Sequence, residues 1–436
     1  MMRRALLAAL LAMASPAAAQ TSAPQREAYA VQAGHLIVDA AQPVRGASTV
    51  IVEDGRVARI EQGWTSGPAG ATVVDLRSKT VLPGLIDAHV HLEHSRDTDD
   101  YFAQRSTEPF AVAVGLRNAR LTAQSGFTTV RNLGGSTLAS LAIRDAVNMG
   151  LHPGPRILTS GRELSITGGA GDTTSGLRPD FAEALDAHRP QAALCHGADG
   201  CTEAVRRAAK LGVDVIKIYA TGAVLGDQGN GLDQQFTDEE MRAIVAAAHR
   251  AGLKVAAHAH GAGGVIAAVR AGVDSIEHGT FADEAGIREM KAHGTYLIAT
   301  LRPAEMIEEE LRKGSFSPRT AEKVRAVLAQ RGKALAAAYR AHVPIALGSD
   351  AGIFPHGRNG EELALMVRYG GMTPRDALIA ATKGGAALLG LAEEIGTLDP
   401  GKSADLIAVD GDPLDDPKAV LDIAYVMVRG KQIPFR

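Results

Sequence analysis

From about residue 81 to 395 the sequence alternates short β-branched runs with helical patterns, and this alternation restricts the fold more than any other feature. Leu85 to Val90, Thr128 to Asn132, Arg156 to Thr159, Val213 to Tyr219, Lys254 to His258, Ser275 to His278, Tyr296 to Thr300 and Val343 to Leu347 read as strands. Helical patterns lie between them. Thr237-Asp238-Glu239-Glu240 is a capping box opening a helix that Gly252 ends, and Thr373-Pro374 starts another with proline at its first position. Eight strands alternating with helices predict parallel βα units closed into a (β/α)8 barrel of the TIM type, an α/β fold.

The two ends differ from the middle. Val31 to Val38, Ser48 to Glu53, Arg56 to Glu61 and Thr72 to Leu76 read as strands, with Asp54-Gly55 marking a hairpin. Asp405 to Asp410 and Ile423 to Val428 read likewise. A small β-sandwich domain built from residues 28–80 and 396–436 is therefore expected beside a barrel at 81–395. Aromatics are only 4% of the chain, so the core is mostly Ala, Val, Leu and Ile, which suits branched aliphatic barrel layers.

The formal net charge of −3 points away from nucleic acid and anionic membranes as partners. The start is a separate matter. Arg3 and Arg4 precede an apolar stretch from Ala5 to Ala14, and Ala17-Ala18-Ala19 offers a cleavage site before Gln20. These features predict a signal peptide over residues 1–19 and a periplasmic or secreted protein. An apolar run of this length is too short to span a bilayer, and no later segment suffices, so no membrane association is expected after cleavage. Cys195 and Cys201 are the only cysteines, and in an oxidising compartment a local disulfide between them is plausible.

Several ionisable residues fall at the expected C-terminal strand ends, where barrels of this kind build their sites. His89 and His91 end the first strand; two residues apart on a strand, both imidazoles face the same way and suit one metal. Lys217 lies within Val215-Ile216-Lys217-Ile218-Tyr219, where a lysine is costly unless modified, paired or ligating. His258 ends the fifth strand, His278 ends the sixth, and Asp350 follows the eighth. Each alone has an ordinary structural reading; together they form a constellation.

The chain resembles the amidohydrolase superfamily. The markers are Pro83-Gly84-Leu85-Ile86-Asp87-Ala88-His89-Val90-His91, Ala257-His258-Ala259-His260-Gly261, Ser275-Ile276-Glu277-His278-Gly279, Gly348-Ser349-Asp350 and the closing stretch from Gly396 to Leu406. Within it the chain is similar to the imidazolonepropionase-like branch, with its Xaa-Pro and Xaa-Arg dipeptidases and ochratoxin amidohydrolases. The resemblance implies two divalent ions, zinc by expectation. His89, His91 and Asp350 would hold one, His258 and His278 the other, and an N6-carboxylated Lys217 would bridge them. It implies amide hydrolysis of dipeptides or N-acyl amino acids with a free carboxylate, with Asp350 moving the proton and His260 holding the carbonyl oxygen or substrate carboxylate. Tyr219, Arg302, His356 and Arg358 are further substrate-binding candidates. It also implies a homo-oligomer, often an octamer among relatives. One departure stands out: relatives usually carry histidine in a Thr-Gly-Gly-His-Gly loop motif, and this chain has Ala170 there.

Two rivals share the metal site or the fold. A cyclic amidohydrolase, deaminase or lactonase would use similar ligands, although many deaminases of this superfamily lack the bridging lysine. A non-catalytic binding protein would be expected to have lost ligands, and all six are present.

Overall fold

The structure is a computed structural model that describes residues 27–94, 107–188, 193–225 and 231–435. The expected signal peptide at 1–19 lies outside the described residues. In chain order the strands are β1 (Ala28–Leu36), β2 (Ser48–Glu53), β3 (Arg56–Gln62), β4 (Thr72–Pro83), β5 (Leu85–Val90), β6 (Phe127–Asn132), β7 (Arg156–Thr159), β8 (Val215–Tyr219), β9 (Lys254–Ala259), β10 (Ser275–His278), β11 (Tyr296–Ile298), β12 (Leu406–Val409), β13 (Ile423–Val428) and β14 (Lys431–Gln432).

The chain ends pair with each other in one seven-stranded sheet of order β14-β13-β12-β4-β1-β2-β3. The β2–β3 turn takes positive φ at Asp54 (51°) and Gly55 (78°), as a tight hairpin of right-twisted strands requires. The two margins of this sheet approach one another. The Ala404 N–H donates to the Gly55 carbonyl, and the Gly430 N–H to that of Ala404, tying the β2–β3 turn to the β13–β14 turn. The sheet encloses its own apolar cluster, which includes Val31, Val50, Val81, Leu406 and Met427.

The middle of the chain forms two parallel sheets, β5-β6-β7 and β8-β9-β10-β11. Backbone hydrogen bonds join them on one side: Asp214 N–H to Thr159 C=O at 2.8 Å and Leu164 N–H to Lys217 C=O at 2.8 Å. On the other side the segment 343–347 lies between β11 and β5. Leu297 N–H donates to Pro344 C=O, and Ala88 N–H to Leu347 C=O. The expected eighth strand is thereby corrected: this segment forms only a single isolated bridge, Ile345 to Leu297. Pro344 has no N–H to give, and Leu347 donates to Ala380 at the start of a π-helical turn instead of to a strand.

Helices between the strands follow the sequence signals. Thr237 and Glu240 form the full capping box at Asp238–Arg250, and Thr373 caps Pro374–Ile379 by accepting from the Asp376 N–H. Alternation sorts the strand residues. Ile216 and Ile218 join the main aliphatic cluster with the surrounding helices, while Lys217 and Tyr219 share the other face. That inner face is more polar than the expected aliphatic layers: Asp87, Arg131, Glu277 and Lys217 are all buried on it.

Candidate metal centre and active site

The β5 face carries His89 and His91, and their rings lie 5.3 Å apart. His89 is fixed from behind. Its Nδ1–H donates to Glu277 Oε2 at 2.8 Å, which leaves Nε2 as a free lone pair. Glu277 is held by Arg131, whose guanidinium also donates to the Ala88 carbonyl and Ser275 Oγ. Burial opposes the Glu277 charge most strongly, but Arg131, His89 and Lys217 together outweigh it and hold the carboxyl down to about 2. The site thus rests on a compensated Arg131–Glu277 pair that orients a ligand imidazole.

His89 Nε2 and His91 Nε2 both face Asp350 Oδ1, at 3.6 and 3.3 Å. Asp350 is buried; burial resists its ionisation, yet His89, His91 and Lys217 keep its pKa below the usual value. Lys217 lies on the same side, its Nζ 3.5 Å from His89 Nε2, and it is only 2% exposed. Desolvation lowers its pKa. Among the described residues its ammonium has no carboxylate ion-pair partner, an arrangement that disfavours the charged amine.

His258, His260 and His278 close the ring, with centroids 4.5 to 4.9 Å apart. His258 and His260 follow the β9 alternation. His278 does not follow that of β10: a φ of 71° takes it off the strand path, so it faces His89 although its neighbour Glu277 also bonds His89. Asp350 (φ 61°) and Thr300 (φ 45°), whose hydroxyl lies 2.7 Å from His278 Nδ1, are likewise left-handed. Non-glycine residues adopt this region at a cost, and such residues gather at functional sites.

The donors suit divalent cations. His258, His260 and His278 present ligand atoms within 4.8 Å of one another, and so do His89, His278 and Asp350. Burial lowers the pKa of His89 and His260 to about 4 and holds those of His258 and His278 well below the usual value, so these imidazoles are neutral with lone pairs to give. His91 Nδ1 is buried without a hydrogen-bond partner. Neutral imidazoles and one carboxylate form a ligand set that suits a divalent cation.

The remaining sequence candidates divide. Tyr219 stacks at a tilt on His258, centroids 5.0 Å apart, and its hydroxyl donates to Glu163 Oε1 at 3.4 Å. His260 is held by Thr280 Oγ1 at 2.8 Å on one nitrogen, and its other side faces His258 and His278. The other three are engaged elsewhere. Arg302 is paired with Glu361 and lies over the Phe354 ring. Arg358 also pairs with Glu361, at 2.7 Å. His356 uses both nitrogens, on Thr122 Oγ1 and the His91 carbonyl, so it braces the His91 backbone.

Sequence reasoning missed the supports. Asp87 accepts hydrogen bonds from Ser349, Asn359 and the His89 N–H, joining β5 to the Asp350 turn; burial raises its pKa to about 6. Its signal was a charged residue inside a buried strand, as for Glu277 and Arg131. The Ala170 loop is braced by Ala170 N–H to Gln235 Oε1, and Gly171 packs against the Tyr219 ring. The Cys195–Cys201 disulfide is formed, with Cα atoms 4.9 Å apart. It secures residues 193–195, which hydrogen-bond with Ser165 at the base of this loop.

Parallel βα units carrying a histidine–aspartate–lysine centre at the strand ends define a hydrolase class, and comparison makes it specific. Residues 80–433 match the amidohydrolase family, and the chain belongs to it, within the imidazolonepropionase-like branch of the superfamily. It is an enzyme, a hydrolase acting on amide bonds. The ochratoxinase of Aspergillus niger is 34% identical over 417 residues, spanning 90% of this chain and 84% of that protein. An imidazolonepropionase of Erwinia tasmaniensis is 29% identical over 401 residues, 83% of this chain and 90% of its own. A crystal structure of a Xaa-Pro dipeptidase with methionine bound in its active site superposes with a TM-score of 0.87 at 36% identity, covering 93% of this chain and 99% of the other. Members of the family typically bind divalent metals.

Proposed function

We propose that the chain is an exported binuclear zinc amidohydrolase that cleaves dipeptides or N-acyl amino acids bearing a free carboxylate, ochratoxin A among them. The observation that carries this reading is the pair of donor sets sharing His278, with Lys217 buried beside them and, among the described residues, lacking an ion-pair partner. Relatives that act as dipeptidase and ochratoxinase support the substrate class.

His89, His91 and Asp350 would hold one ion; His258 and His278 would hold the other. Lys217, whose charged form burial disfavours, is the residue that would take up CO2 as a carbamate and help hold the ions. Two such ions would, when bound, supply an acidified water and polarise the scissile carbonyl. Asp350 takes the proton of the attacking water and delivers it to the leaving nitrogen. His260 donates to the carbonyl oxygen, oriented by Thr280. Tyr219 lines the same site.

The architecture fits this reading. Segment 343–347 completes a (β/α)8 barrel, its hydrogen bonds to β11 and β5 supporting closure, and the seven-stranded sheet folds over its cluster as a two-layer sandwich. The composite β domain comprises residues 28–80 and 396–436, and the barrel residues 81–395. Residues 1–19 direct export to the periplasm or beyond, which the disulfide supports. A homo-oligomer, an octamer by analogy, completes the proposal.

The test is a screen of zinc-loaded protein against dipeptides, N-acyl amino acids, ochratoxin A and a simple lactone. Hydrolysis of the carboxylate-bearing amides supports the reading. Turnover of the lactone alone contradicts it.

A further inference from the structure

The metal site borders a cavity that the chemistry above does not use. Its volume is about 50 Å³, room for a few waters or for a side chain of a few heavy atoms. His278 and Thr280 of the site line it, Ala304 and Leu335 give it apolar walls, and Gln330 and Arg331 add polar groups. Thr280 also holds His260, the residue set to meet the scissile carbonyl, at 2.8 Å. The cavity therefore adjoins the place of that carbonyl. Arg331 is committed through its two terminal nitrogens. One donates to the Tyr369 hydroxyl at 3.2 Å; the other donates to the Ala304 carbonyl at 3.1 Å and pairs with Glu308 at 2.9 Å. Its Nε is buried and, among the described residues, has no hydrogen-bond partner. A buried donor without a partner is costly, and an acceptor brought into the cavity relieves that cost. Glu308 already balances the guanidinium charge, so a neutral acceptor suits the cavity better than a second carboxylate.

We infer that this cavity takes the side chain of a dipeptide's first residue, the one that supplies the scissile carbonyl, and favours a short side chain ending in an amide, as asparagine does. The inference deepens the amide-hydrolase reading and rests on it. Position orders the groups. Tyr219 stands at the end of β8 beside His258, ring centroids 5.0 Å apart, whereas Thr280 and Thr300 place the cavity at the ends of β10 and β11. A dipeptide whose carboxylate end lies toward the Tyr219 hydroxyl has its first residue on the cavity side. Asparagine and leucine side chains share one branched shape and differ in polarity. The walls admit both, and the Arg331 Nε–H separates them: it gains an acceptor from one and stays unpaired with the other.

The test uses metal-loaded full-length enzyme and three probes: asparaginyl-phenylalanine, the similarly shaped leucyl-phenylalanine, and glycyl-phenylalanine, which has no side chain to place. The wild type should favour asparaginyl- over leucyl-phenylalanine in kcat/KM by about tenfold, the scale of one hydrogen bond to a charged group. Arg331→Met should abolish this preference and leave glycyl-phenylalanine unchanged. Ala304→Leu, which fills the cavity, should lower kcat/KM by about tenfold for both larger probes and spare glycyl-phenylalanine. Equal wild-type kcat/KM for the asparaginyl and leucyl probes overturns the inference without any variant. So does an Ala304→Leu loss that glycyl-phenylalanine shares in folded protein, which marks a structural role. Turnover of glycyl-phenylalanine alongside either result leaves the amide-hydrolase reading standing and removes the cavity from recognition. Hydrolysis of none of the three probes removes both.

Discussion

Glu277 Oε2 lies 2.8 Å from His89 Nδ1, deep beneath the site and away from any substrate. The contact fixes which nitrogen of His89 faces the centre, and Arg131 keeps Glu277 charged for that purpose. Glu277→Gln retains the shape and removes the charge. It should weaken metal binding by about 10- to 100-fold, as measured by titration with a competing chelator. Unchanged metal affinity with normal folding would show that the pair merely fills space.

Glu362 gives a pH signature independent of the metals. Its carboxylate accepts the Leu301 and Arg302 N–H groups at the start of the helix Arg302–Lys313, yet burial raises its pKa to about 8. The folded protein therefore keeps a proton that the unfolded chain releases near the ordinary value of about 4.3. This contribution is fully present below that lower value and is lost as pH rises through about 8. Urea midpoints across that window should fall less steeply with pH for Glu362→Gln than for the wild type. Parallel slopes would refute the assignment.

Much of this was legible in the sequence because strand ends and ligand types coincide. His89, His91, Lys217, His258, His278 and Asp350 each stand where the periodicity places a C-terminal strand end, and the structure brings them together. Two things were hidden. The eighth strand looked regular in its residues, but Pro344 and the Leu347–Ala380 bond withhold the ladder, a consequence of tertiary contact. Arg302, His356 and Arg358 looked available because charge alone does not reveal partners. Glu361, Thr122 and the His91 backbone already occupy them, and of these pairs only Arg358–Glu361 is local in sequence.

The Ala170 loop lies against Tyr219 through Gly171 and is tied by its backbone to Gln235. An imidazole restored at this position would add a proton-relay group. Ala170→His should raise turnover of C-terminal amino-acid amides by about tenfold. Steady-state kcat/KM unchanged from the wild type would remove that role.

Cys195 and Cys201 hold the short segment that pairs with Ser165 under the same loop. Replacing both with serine should cost about 2 kcal/mol or less in global stability. The larger effect should be local: faster proteolysis near the Ala170 loop, matched by dithiothreitol on the wild type. Equal cleavage rates for oxidised and serine forms would contradict a bracing role.

The central claim is a two-ion centre that depends on Lys217. Its most direct test is elemental analysis of purified, dialysed protein, wild type against Lys217→Ala, with dipeptide hydrolysis assayed on the same samples. The account predicts close to two divalent ions per chain in the wild type, and loss of bound metal together with activity in the variant. A metal-free active wild type, or a Lys217→Ala enzyme that keeps its metal and its turnover, would contradict it.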